Sequence, residues 1–152
     1  MAFGISNLDE LERQHDRFLA ENERAIADAL GIAGLFAIEH VQQHPEFKPH
    51  TGNLQKKTQA KVVRTSGGRL LRITNTAAYA GAIDGGAKPH VIVPRKAKLL
   101  RFVGRDGRTV FTRRVNHPGN KPYRFLYYAT DAANRVFRAD IERRLTDLAA
   151  RF

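Results

Sequence analysis

A stripe of side chains at every third or fourth position dominates the N-terminal part of the chain. Its members are Leu8, Leu11, His15, Phe18, Asn22, Ile26, Ala29, Ala33, Phe36 and Val41. This period predicts one long amphipathic helix. It ends at about Gln43, because the residue before the proline of His44-Pro45 avoids helical backbone angles. Gly31 and Gly34 predict either a bend in this helix or close packing against a neighbouring element.

Alternation with a period of two replaces this stripe in the middle of the chain. It predicts strands at 59–65, 69–75, 90–94, 98–104 and 108–115, with a short turn of helix within 76–89. A second amphipathic helix is predicted from Tyr123 to the end of the sequence. The order predicts a single α+β domain over residues 1–152. It has a long N-terminal helix, an antiparallel sheet of four to five strands with a projecting basic β-hairpin, and a C-terminal helix packed on the sheet.

Charge is spread unevenly along the chain, whose formal net charge is +11. Residues 1–47 carry −6, residues 48–124 carry +16 and residues 125–152 carry +1. The segment 94–115 holds a single acid, Asp106, among eight cations. These are Arg95, Lys96, Lys98, Arg101, Arg105, Arg108, Arg113 and Arg114. Such asymmetry indicates a negatively charged partner for the middle of the chain.

Composition narrows the classes of protein to consider. The chain has no cysteine, which excludes disulfides and thiolate metal sites. We find no apolar run of the length that a membrane helix needs, and the acidic N-terminus is unlike a signal or transit peptide. We therefore expect a soluble intracellular product with no membrane partner.

Residues that could carry chemistry are few and scattered. His40 and His44 are four residues apart, but only neighbouring glutamates offer a further ligand near them in sequence. A structural role is the simpler interpretation for the other candidates, which lie beside proline or glycine in loops. These are His90, His117, Asp84 and Asp106. We predict no catalytic residue, no metal, no cofactor and no enzymatic activity.

The basic segment 94–115 is predicted to be a hairpin with its tight turn at 105–107, where Gly107 is free to adopt a positive φ. Strand alternation places Lys96 and Lys98 on one face and Arg101 on the other, so neither face can be buried along its whole length. Three uses of this charge stay open: contact with DNA, docking on an acidic protein surface, or solvation. Contact with nucleic acid would involve its backbone, without sequence readout and with a strong dependence on salt.

Three motifs suggest a family. They are HTGNLQKKT (50–58), AAYAGAIDGGAKPH (77–90) and NKPYRFLYYATDAA (120–133). In this order the chain resembles, over about residues 8–150, the small neck proteins of long-tailed bacteriophages, which are called head–tail joining, tail-completion or minor tail components. The matching positions are Thr51, Gly52, Leu54, Tyr79, Ala80, Asp84, Gly85 or Gly86, Pro122, Phe125, Leu126 and Ala129. The sequence departs from the family pattern at Asp84, where Glu is commoner, and in its longer and more charged hairpin.

The resemblance implies a structural virion protein at the neck between capsid and tail, made in the host cytoplasm. Its expected partners are further copies in a ring, a hexamer or dodecamer, together with other connector and tail proteins. Packaged double-stranded DNA would pass through the ring without sequence readout. The matching residues would hold the fold, and the eight cations would contact DNA or a neighbouring subunit. Replacing Arg101, Arg105 and Arg108 with Glu is expected to block assembly.

Two other functions are considered. A free-standing, non-sequence-specific nucleic-acid-binding protein would use the same basic segment, and its monomer would bind DNA in a salt-sensitive way. A small nuclease or toxin is disfavoured, because no cluster of acid, histidine and metal ligands is found in the sequence.

Overall fold

A computed structural model of the chain describes residues 7–43, 52–104 and 106–151. Several predictions involve residues outside these ranges, among them the end of the first helix at His44-Pro45, Thr51 of the first motif, and Arg105 of the basic segment. The described elements are α1 (Leu8–Gln43), α2 (Asn53–Lys56), β1 (Thr58–Thr65), β2 (Gly68–Asn75), α3 (Ala80–Gly85), β3 (His90–Ile92), β4 (Leu100–Val103), β5 (Thr109–Thr112), β6 (Val115–His117) and α4 (Phe125–Ala149).

These elements form two compact units. Unit 1 comprises Met1–Ala77 and Phe125–Phe152, and unit 2 comprises Ala78–Arg124. The mixed class of helices and antiparallel strands, with a long helix first and a second long helix last, is confirmed.

Unit 1 is built on α1, which runs unbroken through both glycines. Close packing is the correct interpretation for Gly34, since a Cβ there would lie 3.0 Å from Leu71 Cδ1 and 3.2 Å from Ala60 Cβ. Gly31 has nothing within 4 Å of its Cβ position, so no close packing requires a glycine there. Helix α1 packs on α4 and on β1 and β2.

Small residues form the contact between the two long helices. On α1, Ala29, Ala33 and Ala37 are fully buried at intervals of four residues, and on α4 the same spacing holds for Ala129 and Ala133. Residues four apart share a helix face, and alanine lets two backbones approach closely. The core of unit 1 therefore contains a seam of alanines beside larger buried side chains such as Val41, Leu54 and Phe125.

Helix α1 also contains an 18-residue window of mean hydropathy 1.3 with few charges, long and apolar enough to cross a membrane by length and composition. The sequence was expected to hold no such run. The uncharged stretch between Asp28 and Glu39, which holds alanine, glycine and larger apolar residues, is ten residues long and raises the mean hydropathy of the 18-residue window. A third of the window is buried within the structure, and core helices of soluble proteins pass the same test. The buried part includes the alanine seam.

Arg144 links the two helices electrostatically. Its Nε donates to Asp140 Oδ2 at 2.6 Å on the same helix, and its Nη1 lies 3.7 Å from Asp28 Oδ2 on α1. The hydrogen bonds from Arg144 and then Arg143 hold the pKa of Asp140 below its usual value of 3.8. A carboxyl whose folded pKa is depressed contributes stability above its unfolded pKa and loses it as pH falls through the folded pKa.

Replacing Asp140 with Asn is expected to flatten the acid limb of the stability curve. The wild type should lose more free energy of unfolding than Asp140→Asn as pH falls below 3.8, because only the wild type must protonate this paired carboxyl. Urea unfolding followed by helical circular dichroism across that range measures the difference. Asp131→Asn, on the exposed pair with Arg135, controls for the change in net charge. Parallel curves for wild type and Asp140→Asn would contradict the expectation.

The strands predicted at 59–65 and 69–75 form the first hairpin. Strands β1 and β2 pair antiparallel from Thr58 opposite Asn75 to Thr65 opposite Gly68. At its tip, Glu23 of α1 accepts from Arg64 Nη2 at 2.8 Å and from Arg69 Nη2 at 3.3 Å. Part of the acidic charge of α1 is therefore balanced within unit 1.

The single sheet of four to five strands is not formed in the described part of the chain. Its six strands make three separate two-stranded ladders: β1 with β2, β3 with β6, and β4 with β5. The segment predicted as one strand at 108–115 forms two strands, because the strand is interrupted at Arg113 and Arg114. There Thr112 Oγ1 donates to the Arg114 carbonyl at 2.9 Å in place of a ladder bond. Between β3 and β4 the chain has seven residues, 93–99, whereas between β5 and β6 it has only two. The β3–β6 and β4–β5 ladders therefore cannot be continuous.

Candidate subunit and nucleic-acid interface

The basic segment forms a hairpin of β4 and β5. Leu100 lies opposite Thr112, and Val103 lies opposite Thr109. The turn closes through Gly104 N donating to the Arg108 carbonyl at 2.8 Å, with Gly107 at a φ of +79°. The Asp106 carboxylate accepts from Arg108 N at 3.1 Å, the short-range role expected of an aspartate beside glycine.

Every described cation of this segment is exposed to solvent. Arg95, Lys96 and Lys98 lie in a bend before β4, Arg101 lies on β4, and Arg108 follows the turn. The remaining two, Arg113 and Arg114, lie between β5 and β6. Within the described part of 94–115 one ion pair is formed, between Arg108 Nε and Asp106 Oδ2 at 3.9 Å. The positive charge of the segment is thus left almost uncompensated.

The predicted assignment of side chains to the two faces of the hairpin fails for the residues that precede Leu100. Alternation cannot assign Lys96 and Lys98 to a face, because 95–99 is a bend and the strand begins at Leu100. Within the ladder, one face carries Leu100, Phe102, Val110 and Thr112, and the other carries Arg101, Val103, Thr109 and Phe111. On the second face Val103 is 63% exposed and Phe111 is 62% exposed. We call these four residues the Arg101 face.

A stacked pair of histidines lies in the second ladder of unit 2. His90 and His117 are cross-strand partners with ring centroids 5.0 Å apart. Gly119 N donates to His117 Nδ1 at 3.0 Å, and His90 Nδ1 lies 2.8 Å from the Lys88 carbonyl. Since a carbonyl can only accept, His90 Nδ1 carries the proton. Both rings are therefore held by backbone groups, in line with the structural role predicted for them.

The second and third motifs meet at the C-terminal end of α3. The carbonyls there lack partners within so short a helix. They accept from the Asn120 side chain, from Tyr123 N and from Arg124 N at 2.9–3.0 Å; the acceptors are Ala82, Ile83 and Asp84. Gly86 has a φ of +80°, and a Cβ there would lie 2.9 Å from Pro122 N. Asp84, Gly86 and Pro122 thus lie together in one clasp within unit 2, and Tyr79 precedes α3 as an exposed residue.

The other matching positions lie in unit 1. Phe125 and Ala129 are buried on α4, with Leu126 half-buried between them. Gly52 has a φ of +66° at the start of α2, where Leu54 is buried. These placements suit fold-holding roles.

Two asparagines were missed by sequence reasoning. Asn75 Nδ2 donates to the Leu54 carbonyl at 2.7 Å and to Thr58 Oγ1 at 2.8 Å, which ties the first motif to the end of β2. Asn120 closes the clasp described above. The only signal for either was an asparagine at the boundary between an element and a loop, where its amide bonds to nearby backbone.

Unit 2 exposes many apolar side chains and buries almost none. Among its described residues, Ala80 is the one buried hydrophobic residue. Eight large hydrophobic side chains are exposed: Tyr79, Val91, Ile92, Val93, Leu99, Phe102, Val103 and Phe111. Unit 2 therefore has almost no hydrophobic core of its own.

The described residues contain no group of three or more histidine, cysteine, aspartate or glutamate side chains that could hold a metal ion. The prediction of a weak pair at His40 and His44 includes a residue outside the described ranges. No model of a protein family, no curated protein and no solved structure matches the chain.

Proposed function

We propose that this chain is a structural subunit of a ring in the neck of a long-tailed bacteriophage, between capsid and tail. The observation that carries the proposal is the composition of unit 2, which exposes eight large hydrophobic side chains and buries one alanine. Two-stranded ladders are marginally stable alone in water. Such a unit needs cover from another protein surface, and identical subunits in a ring supply it.

The charge of unit 2 supports a position beside DNA. Unit 2 carries eleven Lys or Arg residues against two Asp, a net charge of +9, whereas the rest of the chain carries +2. Positive charge that no acid neutralises attracts a phosphate backbone without reading its sequence. A ring whose basic hairpins border the channel would ease the passage of packaged DNA.

The motif residues have a supporting role in this proposal. The clasp of Asp84, Gly86 and Pro122 holds the two chain segments that enter and leave unit 2. Phe125 and Ala129 anchor the helix that follows. The proposed function requires no catalytic residue and no cofactor.

The mass of the purified protein in solution tests the proposal. Light scattering at low and high salt, with and without a short DNA duplex, is expected to show a closed oligomer at both salt concentrations. A monomer that binds the duplex at low salt and releases it at high salt would instead favour the nucleic-acid-binding module. The uncompensated cations of 94–115 are the observation that supports that second function.

Charge reversal on the hairpin separates a local contact from a general effect of net charge. Arg101→Glu combined with Arg108→Glu is expected to prevent oligomer formation. Arg135→Glu combined with Arg138→Glu makes the same change in net charge at exposed positions of α4 and should leave the oligomer intact. Equal loss in both double variants would contradict a role for the hairpin.

A further inference from the structure

The first turns of α1 are an unpartnered amphipathic helix. Every residue from 7 to 17 is exposed, and Phe18 is the first half-buried side chain. Leu8 is 56% exposed and Leu11 is 64% exposed, although both lie on the stripe that later becomes the alanine seam. We call residues 8–17 the arm. At 1.5 Å per residue it is about 15 Å long.

Two features of the arm require an explanation. The arm continues a helix that packs elsewhere, but no burial of its own side chains adds to its stability. Its acids are also largely unpaired: Glu10 is 3.0 Å from Arg13, but among the described residues Asp9, Glu12 and Asp16 form no ion pair. The arm thus presents an apolar stripe flanked by free carboxylates. A complementary surface would be apolar and flanked by cations.

The Arg101 face of unit 2 has this character. Val103 and Phe111 form an exposed apolar centre, with Arg101 directly opposite Phe111 in the ladder. Arg113 follows β5 directly and is exposed. None of the described acids forms an ion pair with Arg101 or Arg113.

The charges of the arm and of the Arg101 face determine which of these surfaces can pack together between two copies of the chain. Residues 8–17 carry four acids against Arg13 and Arg17, so two arms packed together would bring a net excess of carboxylates into contact, and two Arg101 faces would bring cations together. Juxtaposed like charges are unfavourable, whereas opposite charges favour an arm against an Arg101 face. A contact between two different patches is head-to-tail, and its repetition generates a ring when the rotation closes.

We propose that the arm of one copy docks on the Arg101 face of the next copy. The stripe residues Leu8 and Leu11 cover Val103 and Phe111, while Glu12 and Asp16 approach Arg101 and Arg113. This inference rests on the proposed function and names the subunit contact that builds the ring.

Charge exchange tests the contact. Glu12→Lys with Asp16→Lys is expected to weaken self-association at least tenfold in sedimentation velocity, and so is Arg101→Glu with Arg113→Glu. A chain that carries all four changes is expected to regain the oligomer, because the charges are then complementary again. An equimolar mixture of the two double variants should also assemble, since each supplies the surface that the other can bind.

A matched chain controls for net charge. It combines Glu12→Lys and Asp16→Lys with Arg135→Glu and Arg138→Glu on α4, and it should stay dissociated. All substituted side chains are exposed, and circular dichroism checks the helix content of each variant. Equal rescue by both four-fold variants would overturn the docking.

The outcomes also separate this inference from the ring itself. A wild-type ring that is unchanged by the Glu12 and Asp16 substitutions overturns the docking but leaves the ring intact. A wild-type chain that stays monomeric at every concentration and salt overturns both. Loss in each double variant, with recovery in the four-fold variant and in the mixture, establishes the docking.

Discussion

Replacing Phe125 with alanine is expected to lower the free energy of unfolding of unit 1 by about 3–5 kcal/mol. The side chain is 2% exposed at the first position of α4 and is one of the few large buried side chains of unit 1. Its removal leaves a cavity, and a cavity that does not collapse costs the most. Urea unfolding followed at a helical wavelength measures the change.

Tyr127 provides the matched control on the same turn of helix. It is 64% exposed, so Tyr127→Ala should change the free energy of unfolding by no more than about 0.5 kcal/mol. Similar losses in the two variants would mean that the interior of unit 1 is not organised around Phe125. A stable Phe125→Ala with unchanged oligomer mass would further show that the third motif does not anchor α4.

Elements with a strong local period could be predicted from the sequence. The stripe from Leu8 to Val41 predicted the long helix α1. Alternation on both sides of Ser-Gly-Gly predicted β1 and β2, and the observed strands differ by one residue at their starts. In each case the local pattern and the tertiary packing favour the same structure, so sequence reasoning succeeds.

The hairpin of β4 and β5 was predicted from the sequence, but the pairing of β3 with β6 could not be. Residues 108–115 alternate well enough for one strand, but the hydroxyl of Thr112 bonds to the Arg114 carbonyl and divides them. The partner of β3 is β6, which lies more than twenty residues later in the sequence, and no local pattern indicates that pairing. Helix α2 was missed for another reason: its four residues carry no period, and a bond from Asn75 at the end of β2 holds the Leu54 carbonyl beside it.

The candidate site was predictable in charge but not in shape. The eight cations of 94–115 are evident from the sequence, and every described one is exposed. Alternation along β4 places Arg101 and Val103 on one face. The position of Phe111 on the same face depends on its pairing with Arg101. The exposure of the arm did not, because the stripe of Leu8 and Leu11 has the same period as the buried stripe that follows it. The two parts of the stripe differ only in their tertiary contacts. The later part packs against α4 and the first hairpin, and the arm does not.

Gly119→Ala is expected to abolish the ladder between β3 and β6 while leaving unit 1 folded. Gly119 has a φ of +81°, and a Cβ there would overlap the Ala87 carbonyl oxygen and lie 2.9 Å from the Lys88 carbonyl carbon. Both are backbone atoms, so no side-chain movement relieves the overlap. The neighbouring bridge between Ala87 and Asn120, with N–O distances of 3.0 and 2.9 Å, must therefore open.

Amide hydrogen exchange resolved by residue measures this effect. Protection is expected to fall across β3 and β6 and to persist at Ala33 and Ala129 in the helical seam, because the two sets lie in different compact units. Gly67→Ala is the control, since its Cβ position has nothing within 4 Å and its φ lies outside the positive range. Loss of protection in both units would show that they unfold together.

The same variant connects the fold of unit 2 to its proposed use. The β3–β6 ladder and the Ala87–Asn120 bridge form the base from which the basic hairpin of β4 and β5 extends in sequence. Opening this base frees the hairpin to adopt many orientations. Formation of a subunit contact then costs the entropy that is lost when the hairpin becomes ordered. Gly119→Ala should therefore lose the oligomer while keeping every cation of 94–115. Retention of the oligomer would place the subunit contact in unit 1 instead.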